Sequence, residues 1–243
     1  MSRAAIVAVI AIGCAAQPHA TTVALISASA EWTPVVAQFP GAVRHDSPFG
    51  EWFIAPLHGR DVVFMHGGFG KVSAAASTQW AIDRWHPRLL VNLGTCGGFG
   101  GDVAVGDVVL VTRTVIYDLL EQQGDSAETI AAYSTALDTS AWPARLASRV
   151  RQAPIVSGDR DLVPAELPAL HAKYGASVGD WESGAIAWVA AHNHTKVIIL
   201  RGVTDLVDAS GDATYGDIGA WQRAAATMMK TLLALLDDAL PAL

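Results

Sequence analysis

The sequence predicts a three-layer α/β/α single domain built on a mostly parallel central mixed sheet. Short apolar, β-branched runs, such as residues 89–93 and 196–200, alternate with stretches of helical periodicity through most of the chain. That alternation implies parallel strands with helices on both faces. With 243 residues, 51% of them hydrophobic and 16% charged, there is material for one large core. No internal repeat, low-complexity segment or linker divides the chain.

Residues 1–20 (MSRAAIVAVIAIGCAAQPHA) stand apart. Arg3 precedes an apolar run over 4–12, then small residues ending in Ala20. This is the layout of a secretory signal peptide, and the run is too short to span a bilayer. A lipoprotein signal ending at Cys14 fits less well, because Ala11 stands where such signals carry Leu. The globular domain is then 21–243, in a periplasmic or secreted protein. Its one remaining cysteine, Cys96, excludes a disulfide framework. A net charge of −7 argues against a nucleic-acid partner, which needs a basic face. No basic run suggests a membrane surface for the mature chain.

Residues 21–28 (TTVALISA) read as a central first strand, followed by a helix with Pro34 in its first turn. Residues 51–57 and 61–66 are strand-like around the turn signal His58-Gly59-Arg60. Gly67-Gly68-Phe69-Gly70 opens an amphipathic helix over 71–85, which Pro87 stops. A buried strand over 89–93 ends in the run 94–101 (GTCGGFGG), which holds a second glycine-rich turn over 97–101. Residues 103–117 form a long strand pattern broken at Gly106-Asp107, and 118–140 read as an aperiodic surface excursion. A helix over 142–152, a strand over 155–157 and a helix over 167–174 follow. A strand over 177–181 then enters the stretch on which the chain is organised, residues 180–208. There Asp180 and Glu182 precede a small-residue helix (183–194), a buried strand (196–200), and Arg201, Thr204 and Asp205 past its end. The last helix spans 215–239.

Polar groups just past the carboxyl ends of buried strands are where open α/β sheets hold their chemistry. Glu31, Glu182 and Asp205 are each predicted there. The glycine turns match neither the dinucleotide GxGxxG nor the GxxxxGK[ST] pattern, and no GxSxG elbow is present. No HExxH or paired-cysteine motif indicates a metal, and His192 and His194 read as surface residues. Neither metal nor organic cofactor is expected.

Four blocks, HGGFGKVSAAAS, VNLGTCGGFGGDVAVGDVVL, IVSGD and DWESGAIAWV…VIILRGVTDLVD, together resemble the nucleoside phosphorylase superfamily in family order. Within it they are most similar to the 5′-methylthioadenosine/S-adenosylhomocysteine nucleosidase group. The resemblance implies a nucleoside phosphorylase-like fold and a purine nucleosidase that splits the N-glycosidic bond of adenine-type nucleosides. It makes Asp205 the general acid at purine N7, supported by Arg201 and Thr204, and Glu31 the activator of water. Glu182 would bind the ribose hydroxyls, with Trp181 against the sugar. Thr95, Cys96, Gly97 and Phe69 would line the cleft, Leu162 would touch the base, and Tyr215 would close over it. Asp161 stands where the family carries an aromatic that stacks on the base. Asn92 replaces the arginine of the phosphate-using members, which favours water as nucleophile. A phosphorylase and a non-catalytic nucleoside-binding protein remain the alternatives, and Arg44 or Arg60 of a partner subunit could still supply a phosphate site. The family tendency and eight tryptophans favour a homodimer.

Overall fold

The first strand alternates faces along its length. The structure, a computed structural model, describes residues 22–208, 211–212 and 217–243; the proposed signal segment and Tyr215 lie outside them. In β1 (Thr22–Ile26), Ala24 and Ile26 enter one apolar cluster while Val23 and Leu25 enter another on the opposite face. This is the period of two that a strand buried on both faces requires. The helices α1 (Ser29–Gln38) and α6 (Ile218–Ala239) cover the first face. The second is covered by α2 (Gly70–Trp85) and α5 (Ser183–His192). The three-layer expectation matches this arrangement.

Among the described residues, eleven strands form the sheet. An antiparallel meander, β2 (Arg44–Ser47), β3 (Gly50–Leu57) and β4 (Arg60–His66), makes one margin. The β3–β4 turn has positive φ at both His58 (49°) and Gly59 (71°), the twist that suits a two-residue hairpin. Inward of it β4, β1, β5 (Leu89–Phe99) and β10 (Val197–Asp208) run parallel. Beyond β10 come β6 (Val108–Ile116), β8 (Arg151–Ser157) and β9 (Val178–Asp180), and β9 pairs back onto β5. These five strands therefore close a ring, so the end of β5 and the end of β10 face a shared interior. A short β7 (Thr135–Ala136) flanks β6, and β11 (Gly211–Asp212) flanks β10.

Several local expectations are corrected. The strand expected to end at Leu93 runs on through the start of the glycine-rich turn over 97–101: β5 reaches Phe99 because β10 and β9 supply ladder partners as far as Phe99 and Gly98. Likewise β10 continues to Asp208, so Arg201, Thr204 and Asp205 lie inside the strand, not past its end. Residues 142–152 are a 3-10 turn (Ala144–Arg149) and the start of β8, since pairing of Arg151 with Val109 wins over helical periodicity. Pro34 sits in the second turn of α1. The excursion over 118–140 contains α3 (Ser126–Ala132), capped by the Asp125 carboxylate accepting from Ala127 N at 2.8 Å. The helix α4 (Leu167–Tyr174) agrees with its prediction. None of the eight tryptophans is exposed; the exposed large apolar side chains include Phe69, Val72, Leu120 and Ile218 instead. No helix among the described residues is long and apolar enough to cross a membrane.

Candidate functional site

The carboxyl ends of β1, β5, β9 and β10 surround a cavity of about 440 Å³. Glu31, Phe69, Thr95, Cys96, Gly97, Leu162, Trp181, Glu182, Thr204 and Asp205 all line it. Ten residues separated by up to 174 positions in the chain thus meet at one place. Arg201 stands behind the wall, and Tyr215 is outside the described residues. Sequence reading did not assign Ala28, Gly179, Ile218 or Trp221 to the site, nor Arg160, although all five form its wall. Asp161, which stands where the resemblance places a base-stacking aromatic, and Asp180 line it too. Ile218 and Trp221 begin an otherwise ordinary amphipathic helix, and nothing in their spacing separates them from core positions.

Glu31 is the third residue of α1 and is 3% exposed. Its Oε2 accepts from Ala28 N at 3.1 Å, closing the helix start on itself. Oε1 accepts from Thr95 N at 2.5 Å and Thr95 Oγ1 at 2.8 Å. A carboxylate offers about four acceptor sites, so the Oε2 side keeps room for one more donor.

Glu182 precedes α5. Its Oε1 accepts from Gly70 N at 3.0 Å, capping α2 from another part of the fold. Burial, with Asp180 and Glu31 nearby, outweighs Arg201 and the Gly70 N–H and pushes its carboxyl up to about 8. At neutral pH the protonated form of Glu182 therefore predominates.

Arg201 is completely buried. Nη2 donates to Asn92 Oδ1 at 2.6 Å and lies 2.7 Å from Asp180 Oδ2, and Nε donates to Ser183 Oγ at 2.9 Å. Asp180 also accepts from Ser157 Oγ at 2.6 Å and Ser183 Oγ at 2.5 Å. Nη1 has no protein acceptor among the described residues. It lies where Gly94 lacks a side chain: a Cβ there would fall 1.7 Å from Nη1 and 3.0 Å from Glu31 Oε1.

Asp205 owes its direction to a bulge. Gly202 pairs with Thr95 and Val203 with Cys96, but Asp205 pairs with Gly97, so one residue is extra. Without it Asp205 would share the face of Val203; with it, Asp205 shares the face of Gly202 and Gly97. Thr204 Oγ1 donates to Asp205 Oδ1 at 2.6 Å. Oδ2 lies 3.0 Å, and Leu162 Cδ1 3.3 Å, from where a Gly97 Cβ would sit, so the glycine leaves the space that the cavity occupies. Cys96 faces the other way, into the core cluster, and burial raises its thiol pKa well above the usual value. It is a packing residue in a cavity wall.

Phe69 and Trp181 form one aromatic wall, centroids 4.6 Å apart. Among the described residues no group of three or more His, Cys, Asp or Glu could hold a metal ion. His192 and His194 are exposed. The site offers carboxylates of distinct environment, one fixed buried cation and aromatic surface. That set suits proton transfer around a bound aromatic, hydroxyl-bearing molecule.

The family model for the phosphorylase superfamily matches residues 22–237. A 5′-methylthioadenosine/S-adenosylhomocysteine nucleosidase of Marinomonas sp. (strain MWYL1) is 27% identical over 208 residues, covering 80% of this chain and 90% of that protein. Among solved structures, the apo 5′-methylthioadenosine nucleosidase of Arabidopsis thaliana superposes with a TM-score of 0.76 at 23% identity, over 91% of this chain and 96% of that one. The Neisseria meningitidis 5′-methylthioadenosine/S-adenosylhomocysteine nucleosidase, in complex with methylthio-immucillin-A, gives 0.70 at 25% identity, over 90% and 99%.

Proposed function

Because the chain belongs to the phosphorylase superfamily, we propose that it is a purine nucleosidase that hydrolyses adenine-type nucleosides such as 5′-methylthioadenosine. The observation that carries this is the convergence of Glu31, Glu182 and Asp205 on one cavity. Breaking an N-glycosidic bond develops an oxocarbenium-like sugar and negative charge on the base. Asp205, oriented by Thr204, gives a proton to purine N7 as the C1′–N9 electrons pass to the ring, so the base departs neutral. Glu31 takes a proton from the water that adds to C1′. One proton given and one taken balance the reaction.

Glu182 grips the ribose hydroxyls, able while protonated to donate as well as accept. Its ionised form prevails only above about pH 8. The buried guanidinium of Arg201 offsets the carboxylates crowded behind the cavity.

Water as nucleophile is supported by the commitments of Asn92, Arg44 and Arg60, while Arg160 in the cavity wall is paired with Glu166 at 3.0 Å. Asn92 is buried and committed to Leu25 O, at 3.0 Å, and to Arg201. Arg44 lies 3.3 Å from Glu51, and Arg60 donates to Leu240 O at 2.9 Å. None of these three lines the cavity. We further propose that residues 1–20 direct export, resting on Arg3, the apolar run and Ala20. A homodimer through the exposed Phe69–Val72 face beside the cavity is also proposed.

Incubating the chain lacking residues 1–20 with a nucleoside panel, with and without phosphate, tests the reading. Adenine and free sugar released at a rate independent of phosphate is the expected result. Release that requires phosphate makes the protein a phosphorylase, and binding without release makes it a non-catalytic carrier.

A further inference from the structure

The described part of the cavity has three aromatic residues in its wall: Phe69, Trp181 and Trp221. Phe69 and Trp181 are in contact with each other, and their neighbours Gly70 and Glu182 are hydrogen-bonded. Both therefore belong to the sugar end. Trp221 comes from the other side, from the first turns of α6.

Its position follows from two registers. Met228 packs on Gly202, with Met228 Cβ and Cγ both 3.1 Å from where a Gly202 Cβ would be. Trp221 is seven residues before Met228, hence on the same helix face and about 10 Å nearer the helix start. Asp205 is three residues after Gly202 but, because of the bulge, only two ladder steps along the strand, about 7 Å, and it stays on the Gly202 face. The helix start lies at the carboxyl end of β10, as the shared cavity requires. Both displacements run toward the cavity, whose wall contains Trp221 and Asp205 together. Leu162 and Gly97 form the other boundary of that space. Trp221 is half-buried and faces the cavity while the core seam of α6 begins at Ala225.

We propose that Trp221 is a specificity-determining residue that stacks on the departing base while Asp205 protonates it. An indole face offers most to a bicyclic aromatic base and less to a monocyclic one, so Trp221 favours purines over pyrimidines. This rests on the nucleosidase reading above. Stacking persists from bound substrate to departing base, so its loss weakens binding more than it slows chemistry.

The test compares Trp221→Ala and Trp221→Phe with wild type, using 5′-methylthioadenosine turnover and equilibrium binding of adenine alone. Trp221→Ala is expected to raise KM, and to weaken adenine binding, by roughly five- to a hundred-fold. Its kcat stays within about three-fold, and its purine-over-pyrimidine preference shrinks. Trp221→Phe recovers most of both, and it abolishes the part of the adenine-induced fluorescence quench that Trp221 contributes. A Trp221→Ala protein with unchanged KM and adenine affinity overturns the proposal and leaves the nucleosidase reading intact. Wild-type protein that binds adenine with the Trp221-dependent quench, yet releases no base from any nucleoside, sinks the nucleosidase reading and upholds the stacking role.

Discussion

Asp205 and Glu182 are two carboxyls in one cavity whose surroundings differ. Asp205→Asn keeps the Thr204 contact and the shape of the site but cannot deliver a proton. We expect kcat to fall by at least 10²–10⁴-fold, with adenine affinity within a few-fold of wild type; near-normal turnover would remove Asp205 as the acid. Glu182 makes a prediction about stability. Its carboxyl is raised from the ordinary 4.5 to about 8 in the folded protein. Between these values the folded state holds a proton that the unfolded chain has released, so stability falls as pH rises through that window and levels off above it. Glu182→Gln, which never ionises, removes that contribution. Urea unfolding should show the variant losing less stability than wild type from pH 5 to 8, by a few kcal/mol. Parallel pH profiles for the two proteins count against a protonated Glu182. The residue types at 31, 182 and 205 were legible in the sequence through the family blocks. The proton on Glu182 was not, because it arises from burial beside Asp180 and Glu31.

The elements that hold these groups were legible where one local signal decided them. In α2, Gly70 opened and Pro87 closed a stretch of helical period; in β1 the β-branched run needed no partner to be recognised. β5 and β10 were read short, at 93 and 200, because glycines and polar residues end a strand pattern locally. Their continuation depends on pairing with each other and with β9, which no window of sequence contains. The bulge at Thr204 is invisible for the same reason, and it reverses the face of Asp205. Gly94 shows what this pairing protects. The Arg201 guanidinium that occupies its missing Cβ position is fixed by Asn92, Asp180 and Ser183, and cannot retreat. Gly94→Ala should therefore cost about 3 kcal/mol or more, the scale of disrupting a buried ion pair, and take activity with it. Gly41→Ala, with nothing within 4 Å of the new methyl, is the control and should stay within about 0.5 kcal/mol. Equal urea midpoints for the two variants contradict the packing described for Gly94.

Across the whole molecule, the site exists because two helical layers and a closed ring of strands meet at one end of the sheet. Composition and alternation indicated three layers; ring closure through β9 was beyond them, since a three-residue strand carries almost no signal. One place where the α6 layer is registered on the sheet is where Met228 crosses Gly202. A methyl added at Gly202 would lie 2.4 Å from Met228 Cε and 3.1 Å from its Cβ and Cγ. The Cε end can swing away, but Cβ is tied to the helix, so α6 must lift. Gly202→Ala should cost about 1–3 kcal/mol as an overpacked contact. Met228→Ala alone should cost about 2–5 kcal/mol as a cavity. In the double variant the new methyl partly fills the space the methionine leaves, so the combined loss should fall short of the two single losses added together by at least about 0.5 kcal/mol. Urea unfolding of the four proteins measures this coupling, and strict additivity excludes the contact. Because Trp221 is carried on the same helix, Gly202→Ala should also raise KM for the nucleoside while Met228→Ala in the same chain brings it back toward wild type. A change in stability without any change in KM means that α6 and the cavity are mechanically independent.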